Sequence, residues 1–134
     1  MDIIEPYLKI FRTKVDEILK RNCIFAFDSK KEMNKQILEN IHRLKRQLLP
    51  NDRMILFGSH ARGDARADSD WDLLLLLDKP RKEQSDQDKA YEFVLMGWEY
   101  GTYLSIKIYT QEQWEKGKMF PFYKNVINEG IEIK

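Results

Sequence analysis

The first 49 residues carry apolar positions at helical spacing. Ser29 followed by Glu32 is a capping-box pattern, which predicts the start of a helix that ends before Pro50. Residues 22–28 are apolar without a clear period and predict a connection or a short strand. An earlier helix is predicted from one apolar face, formed by Ile4, Tyr7, Leu8, Phe11, Val15, Ile18 and Leu19.

The remaining chain alternates short apolar strands with helices. Residues 70–77 are apolar on both alternating faces after their first positions, which is typical of a central strand covered on each side. The predicted fold class is α/β (α+β), a mixed β-sheet flanked by helices with an N-terminal helical extension. We expect one domain over residues 1–134, with N-terminal helices at 1–49 and an α/β core at 50–134. Further strands are predicted at 53–57, 103–109 and 131–133, and helices at 86–100, 111–117 and 122–129.

Charge and composition exclude several classes of protein. The chain has 23 basic and 22 acidic residues, a balance that argues against a nucleic-acid coat or a polybasic membrane anchor. Cys23 is the only cysteine, so the chain has no internal disulfide. The longest apolar run, Leu73 to Leu77, is far below the roughly 20 residues that span a bilayer. We therefore expect a cytoplasmic protein with neither a membrane nor a nucleic acid as partner.

Residues 58–73, GSHARGDARADSDWDL, hold the residue types from which a phosphate and metal site can be built. Gly58 follows a strand and lets an anion approach the backbone, while the Ser59 hydroxyl and the following amides offer donors to phosphate oxygens. Asp70 and Asp72 project from one face of a strand, with Cα atoms roughly 6.5 Å apart. Two carboxylates at that separation can share Mg²⁺. His60 lies in the same loop, and the sequence offers it no partner and predicts no catalytic role.

This stretch resembles the DNA polymerase beta-like nucleotidyltransferase superfamily, in particular its minimal nucleotidyltransferases. Their signature is Gly-Ser, ten residues and then Asp-x-Asp, and the resemblance covers about residues 35–134. The first 28 residues lie outside it. The fuller pattern is matched by Gly58, Ser59, Ala61, Arg62, Gly63, Ser69, Asp70, Asp72 and Leu73.

The resemblance implies a division of roles within the motif. Gly58 and Ser59 are expected to hold the nucleoside triphosphate, and Arg62 is a further candidate because a guanidinium pairs well with phosphate. Asp70 and Asp72 are expected to be the catalytic residues and to ligate Mg²⁺. The implied reaction transfers a nucleoside monophosphate from ATP or another nucleoside triphosphate to an acceptor hydroxyl and releases pyrophosphate.

One position departs from the family pattern. Active members carry a third carboxylate about five residues before the Ser or Thr that starts the next helix, and counting back from Thr110 reaches Ser105. Serine cannot act as a general base near neutral pH, so the third-acid position is degenerate. Glu99 is a possible substitute. The alternative function is a catalytically impaired module of the same fold that binds a nucleotide or a partner.

The acceptor is not specified by these residues. A short chain of this kind is expected to take its acceptor from a partner protein, a homodimer mate or a shallow cleft. The resemblance points to the antitoxin half of HEPN–nucleotidyltransferase pairs, in which the minimal enzyme adenylylates its toxin. A HEPN-type protein or a second copy of the chain is therefore the expected protein partner, and a small molecule remains an alternative acceptor.

Overall fold

The computed structural model describes residues 23–134, with side chains from residue 29 onward. Of the described residues, 36–134 form one compact unit, and residues 23–35 fall outside it. The helix predicted over residues 4–19 lies outside the described residues, and the division at residues 49 and 50 stays a prediction. The elements run α1 (Cys23–Leu48), β1 (Arg53–Phe57), α2 (Ser59–Arg62), β2 (Trp71–Leu77), α3 (Gln84–Glu99), β3 (Leu104–Thr110), α4 (Gln111–Lys116), α5 (Pro121–Glu129) and β4 (Ile131–Ile133).

Helix α1 corrects two predictions. Residues 23–28 are helical rather than a connection or a strand, and Ser29 lies within the helix rather than at its start. The stretch from Cys23 to Leu48 contains neither glycine nor proline, so no residue in it interrupts helical hydrogen bonding. A Ser-x-x-Glu spacing also occurs inside helices, where it carries no capping function. The predicted end before Pro50 is confirmed.

Within residues 23–134 the sheet contains four strands in the order β3-β2-β1-β4. Strand β2 pairs parallel with β3 and antiparallel with β1, and β1 pairs antiparallel with β4. The sheet is therefore mixed, as the sequence predicts. Residues 73–77 are all completely buried, which confirms β2 as a central strand covered on both sides.

Each face of the sheet is covered by a different set of helices. On one face, Leu74 and Leu76 pack with Trp114 of α4 and Val126 of α5 in a buried cluster. On the opposite face, α3 approaches β3 so closely that a Cβ on Gly97 would lie 2.5 Å from Leu104 Cδ1. Because strand side chains alternate, Asp72 shares the face of Leu74 and therefore lies on the side of α4 and α5.

Helix α4 begins with a reciprocal cap at the end of β3. The Thr110 hydroxyl accepts the Gln113 N–H at 3.1 Å, and Gln113 Oε1 accepts the Thr110 N–H at 3.1 Å. Thr110 is therefore the residue that starts this helix. It is the residue from which the expected position of the third carboxylate, Ser105, is counted. None of the helices among residues 23–134 has the length and apolar character needed to cross a membrane.

Two glycines give a test of this packing. A Cβ on Gly130 would lie 2.7 Å from Ile55 Cγ2 and would overlap the Val126 carbonyl oxygen, whereas a Cβ on Gly117 would meet nothing closer than 3.5 Å. We expect Gly130→Ala to lower the free energy of unfolding by about 1–3 kcal/mol, because the added carbon overpacks the core. The matched change Gly117→Ala should leave it unchanged or raise it slightly. Urea denaturation of both variants checks the prediction, and equal stabilities would contradict it.

Candidate active site

The Gly58–Ser59 turn joins β1 to the single helical turn of α2. Gly58 has a φ of 77°, in the region that favours glycine, and its carbonyl accepts the N–H groups of Ala61 at 3.1 Å and Arg62 at 3.0 Å. The Ser59 carbonyl accepts the Gly63 N–H at 2.9 Å. The turn is thus a compact, hydrogen-bonded corner at the end of a buried strand.

Asp72 lies directly against this corner. The register pairs Asp72 with Phe57, the residue before Gly58. A Cβ on Gly58 would overlap Asp72 Oδ2 and lie 3.2 Å from its Cγ. The two halves of the sequence motif, separated by ten residues, therefore meet in space only because Gly58 has no side chain.

The surroundings of Asp72 disfavour the ionised form of its carboxyl group. Burial, followed by the nearby charge of Asp70, raises the pKa of Asp72, while the positive charges of Lys107, His60 and Arg62 act in the opposite direction. Asp70 precedes the first residue of β2 and is exposed. When a partly buried carboxylate lies near a second acid, a cation bound between or beside them stabilises the ionised form of both.

Strand β3 brings Ser105 beside Asp72. The parallel register pairs Asp72 with Ser105 and Leu74 with Lys107, so both β3 side chains share the Asp72 face. Lys107 also lies over the Phe122 ring, with its Nζ 5.6 Å from the ring centroid. A carboxylate at position 105 would therefore stand next to Asp72, and the chain carries a hydroxyl there instead.

Glu99 does not substitute for this missing acid. It is the last residue of α3, and α3 packs on the Leu104 side of β3. Leu104 and Ser105 are consecutive strand residues and therefore point to opposite faces. The helix that carries Glu99 thus covers the face opposite to Asp72, and the Glu99 alternative is wrong for this geometry.

Arg62 is held by two carboxylates. Its guanidinium donates to Glu129 Oε2 at 2.9 Å and to Asp64 Oδ2 at 3.2 Å. The other oxygen of Glu129 accepts the Gly58 N–H at 3.1 Å. The hydrogen bond from Arg62, helped by that from Gly58, lowers the pKa of Glu129 below its usual value despite its partial burial.

His60 has partners that the sequence does not reveal. Its ring stacks on Trp71 with centroids 3.9 Å apart and an interplanar angle of 10°. Its Nε2 lies 3.2 Å from the Ser69 carbonyl oxygen, a contact that fits an N–H donated by the ring. The imidazole thereby connects the start of the loop to its end and supports the position of Asp70.

Comparison with known proteins identifies the family of the chain. A family model described as "nucleotidyltransferase domain" matches residues 38–133. The chain belongs to the nucleotidyltransferase-domain family. No curated protein matches it.

Two solved structures have a similar fold. One is a protein of Sulfolobus solfataricus assigned as a nucleotidyltransferase, which is 17% identical with a TM-score of 0.51 over 78% of this chain and 85% of that one. The other is a toxin–antitoxin structure with AMP-PNP, which is 16% identical with a TM-score of 0.50 over 72% of each chain. At these identities the likeness concerns the fold.

The donor set of this nucleotidyltransferase domain fits a divalent cation. Asp70 and Asp72 offer hard carboxylate oxygens, and their mutual repulsion would be relieved by bound Mg²⁺. Within residues 23–134, no group of three or more His, Cys, Asp or Glu side chains forms a metal site.

Glu129 and Lys107 belong to the site although the sequence did not single them out. Lys107 was detectable in principle, because strand alternation places it on the face of Ser105. Glu129 had no such signal, since it meets Gly58 across 71 positions of sequence. No local spacing rule predicts that contact.

The raised pKa of Asp72 predicts a pH-dependent gain in stability for Asp72→Asn. Because the folded chain disfavours the ionised carboxyl, Asp72 costs stability as pH rises from the ordinary aspartate pKa through its raised folded value. In metal-free buffer, Asp72→Asn should therefore raise the free energy of unfolding at neutral pH. The gain should disappear in acid, below the ordinary aspartate pKa.

Denaturant titrations between about pH 3 and pH 7 measure this difference. Asp78→Asn is the matched control, because Asp78 is an exposed residue directly after β2. An Asp72→Asn protein that is less stable than the unmodified one at neutral pH would contradict the prediction.

Proposed function

We propose that this domain is a Mg²⁺-dependent nucleotidyltransferase that transfers a nucleoside monophosphate from ATP to an acceptor hydroxyl. The observation that carries the proposal is the approach of the Asp72 carboxylate to Gly58 of the Gly-Ser turn. A triphosphate at that turn would lie next to the aspartates. In phosphoryl transfer, positioning and neutralisation of charge do most of the catalytic work.

The proposed roles follow from these positions. Gly58 and Ser59 receive the triphosphate, and Arg62, held next to the turn by Glu129 and Asp64, adds a guanidinium that can pair with phosphate oxygens. Asp70 and Asp72 hold Mg²⁺, which neutralises phosphate charge when bound. The acceptor oxygen forms a bond to the α-phosphorus as the bond to the bridging oxygen of the β-phosphate breaks, and pyrophosphate leaves with that electron pair. The proton of the acceptor passes to water, since Ser105 cannot take it at neutral pH.

We further propose that the acceptor belongs to a protein, either a HEPN-type partner or a second copy of this chain. One fold neighbour is a toxin–antitoxin structure determined with AMP-PNP. A second support is the exposed apolar segment between α4 and α5, where Met119 is 88% and Phe120 66% accessible. Phe120 also borders a cavity of about 290 Å³ lined by Tyr109, Gln113, Trp114, Gly117, Phe120, Phe122 and Tyr123.

A second function is favoured by one observation, the serine at the position beside Asp72. In this alternative the domain binds the nucleotide or a partner but has lost turnover together with the third carboxylate. The two functions share the same binding site and differ only in whether a nucleotidyl group is transferred.

We expect Mg²⁺ and ATP to bind together, and we expect Asp70→Asn plus Asp72→Asn to weaken that binding strongly. The reason is that the metal, which carries much of the attraction for the triphosphate, loses its two carboxylate ligands. Isothermal titration calorimetry with ATP, with and without Mg²⁺, measures the effect. Asp78→Asn plus Asp88→Asn removes the same charge from exposed positions and should bind as the unmodified protein does. Equal affinity in the two double variants would end the proposal.

Restoring the missing acid tests catalysis. Ser105→Asp places a carboxylate beside Asp72, and a general base of this kind typically contributes a factor of about 10² to 10⁴ in rate. We expect the labelled nucleotidyl group to pass from ATP to the acceptor much faster with Ser105→Asp than with Ser105→Asn. Asparagine has nearly the same size as aspartate but carries no charge. Rapid transfer by the unmodified protein would eliminate the binding-module alternative. Equal rates for the two variants would show that position 105 is not the place of the third acid.

A further inference from the structure

Glu129 joins the last helix of the chain to the Gly-Ser turn through both of its carboxylate oxygens. Oε1 accepts the Gly58 N–H at 3.1 Å, and Oε2 accepts from Arg62 Nη1 at 2.9 Å. We propose that Glu129 is a positioning residue that fixes the Gly58 backbone and the Arg62 guanidinium in the geometry that receives the triphosphate. This inference rests on the proposed function of the site.

The bond to Gly58 acts on the backbone of the turn. Within the turn, Ala61 is the first residue whose N–H donates to the Gly58 carbonyl. The Gly58 N–H therefore precedes the hydrogen bonds of the helical turn and needs an acceptor from elsewhere. An ionised carboxylate is a strong acceptor for such a group. It holds Gly58 at a positive φ, the conformation in which Gly58 and the Asp72 carboxylate fit together.

The bond to Arg62 acts on a side chain whose other partner, Asp64, is itself exposed. Arg62 is exposed, and an unrestrained arginine side chain of this length samples many rotamers. Of its two partners, Asp64 is 63% accessible and Glu129 only 20%, so Glu129 is the more firmly held anchor. Ordering Arg62 before the nucleotide arrives removes part of the entropic cost of binding.

The backbone of Glu129 is itself well anchored. The preceding turn of α5 carries Val126, which is fully buried in the core. The Gly130 N–H donates to the Val126 carbonyl at 2.7 Å, and Gly130 lies against Ile55 of β1. Glu129 thus extends from a rigid corner of the core, as a residue that positions a binding site must.

Three variants separate positioning from simple loss of charge. Glu129→Gln keeps an acceptor for the Gly58 N–H and loses the ionic pairing with Arg62, whereas Glu129→Ala loses both contacts. Glu132→Gln is the matched control. Glu132 forms a bidentate ion pair with Arg53, in which both N–O distances are 3.0 Å, and it is paired with Ile55 between strands β4 and β1. The dissociation constant of Mg²⁺-ATP and the hydrogen exchange of the amides of residues 58–63 are measured for each, well below its melting temperature.

We expect the dissociation constant to rise roughly 3- to 10-fold in Glu129→Gln and on the order of 10- to 100-fold in Glu129→Ala, the range for charge-assisted hydrogen bonds. Glu132→Gln should stay within about twofold of the unmodified protein, because its ion pair is exposed. Exchange of the Gly58 amide should accelerate in Glu129→Ala and not in Glu132→Gln. A merely structural role would lower the melting temperature while leaving the affinity of the folded protein unchanged.

Three results would overturn the inference. Unchanged nucleotide affinity of the folded Glu129→Ala protein would mean that Glu129 has a merely structural role. Tighter nucleotide binding by Glu129→Ala would mean that Glu129 competes with phosphate for Arg62 and Gly58. Unchanged amide exchange in Glu129→Ala would mean that the carboxylate does not fix the turn. If the unmodified protein fails to bind Mg²⁺-ATP, the proposed function is overturned instead, and the exchange measurement alone decides whether Glu129 positions the turn.

Discussion

The site depends on the contact between a glycine without a side chain and a partly buried carboxylate. Any Cβ at Gly58 would occupy the space of the Asp72 carboxylate, and the φ of 77° adds a second reason for glycine. The antiparallel register of β1 and β2 makes this approach unavoidable, because it pairs Phe57 with Asp72. That register determines which side of the sheet faces the site. The position of Asp70 and the hydrogen bonds of the turn follow from it as well.

The contact between Gly58 and Asp72 places a carboxyl group where its ionised form is disfavoured, and the packing of the sheet holds it there. Asp72 is the one acidic residue of strand β2, whose other residues, Trp71 and the five leucines, are buried in the core, and burial with Asp70 nearby raises the pKa of Asp72. The leucines of β2 hold the strand in place on both faces, so the repulsion between the acids is not relieved by movement of the backbone. Under the proposed function, a cation bound at this position would relieve that repulsion.

Periodicity and motif spacing predicted most of the architecture. The run of leucines predicted a central strand, and the apolar groups around it predicted the later helices to within about two residues, because both depend on local patterns. The capping-box pattern at Ser29 failed because a local signal cannot reveal that a helix has already begun. In the site, motif spacing predicted that the Gly-Ser turn and the two aspartates would act together. It could not predict Glu129 or the stacking of His60 on Trp71, since those contacts arise only after the chain has folded.

Strand β3 forms one edge of the sheet, and Ser105 is only half-buried there. Among the described residues this position lies outside the fully buried core, so the packing of the sheet does not itself require a serine there. A carboxylate at position 105 would add negative charge beside Asp72 but would leave the buried leucines of β2 in place. Under the proposed function, turnover can therefore be lost or regained at this one edge position while the architecture is inherited unchanged.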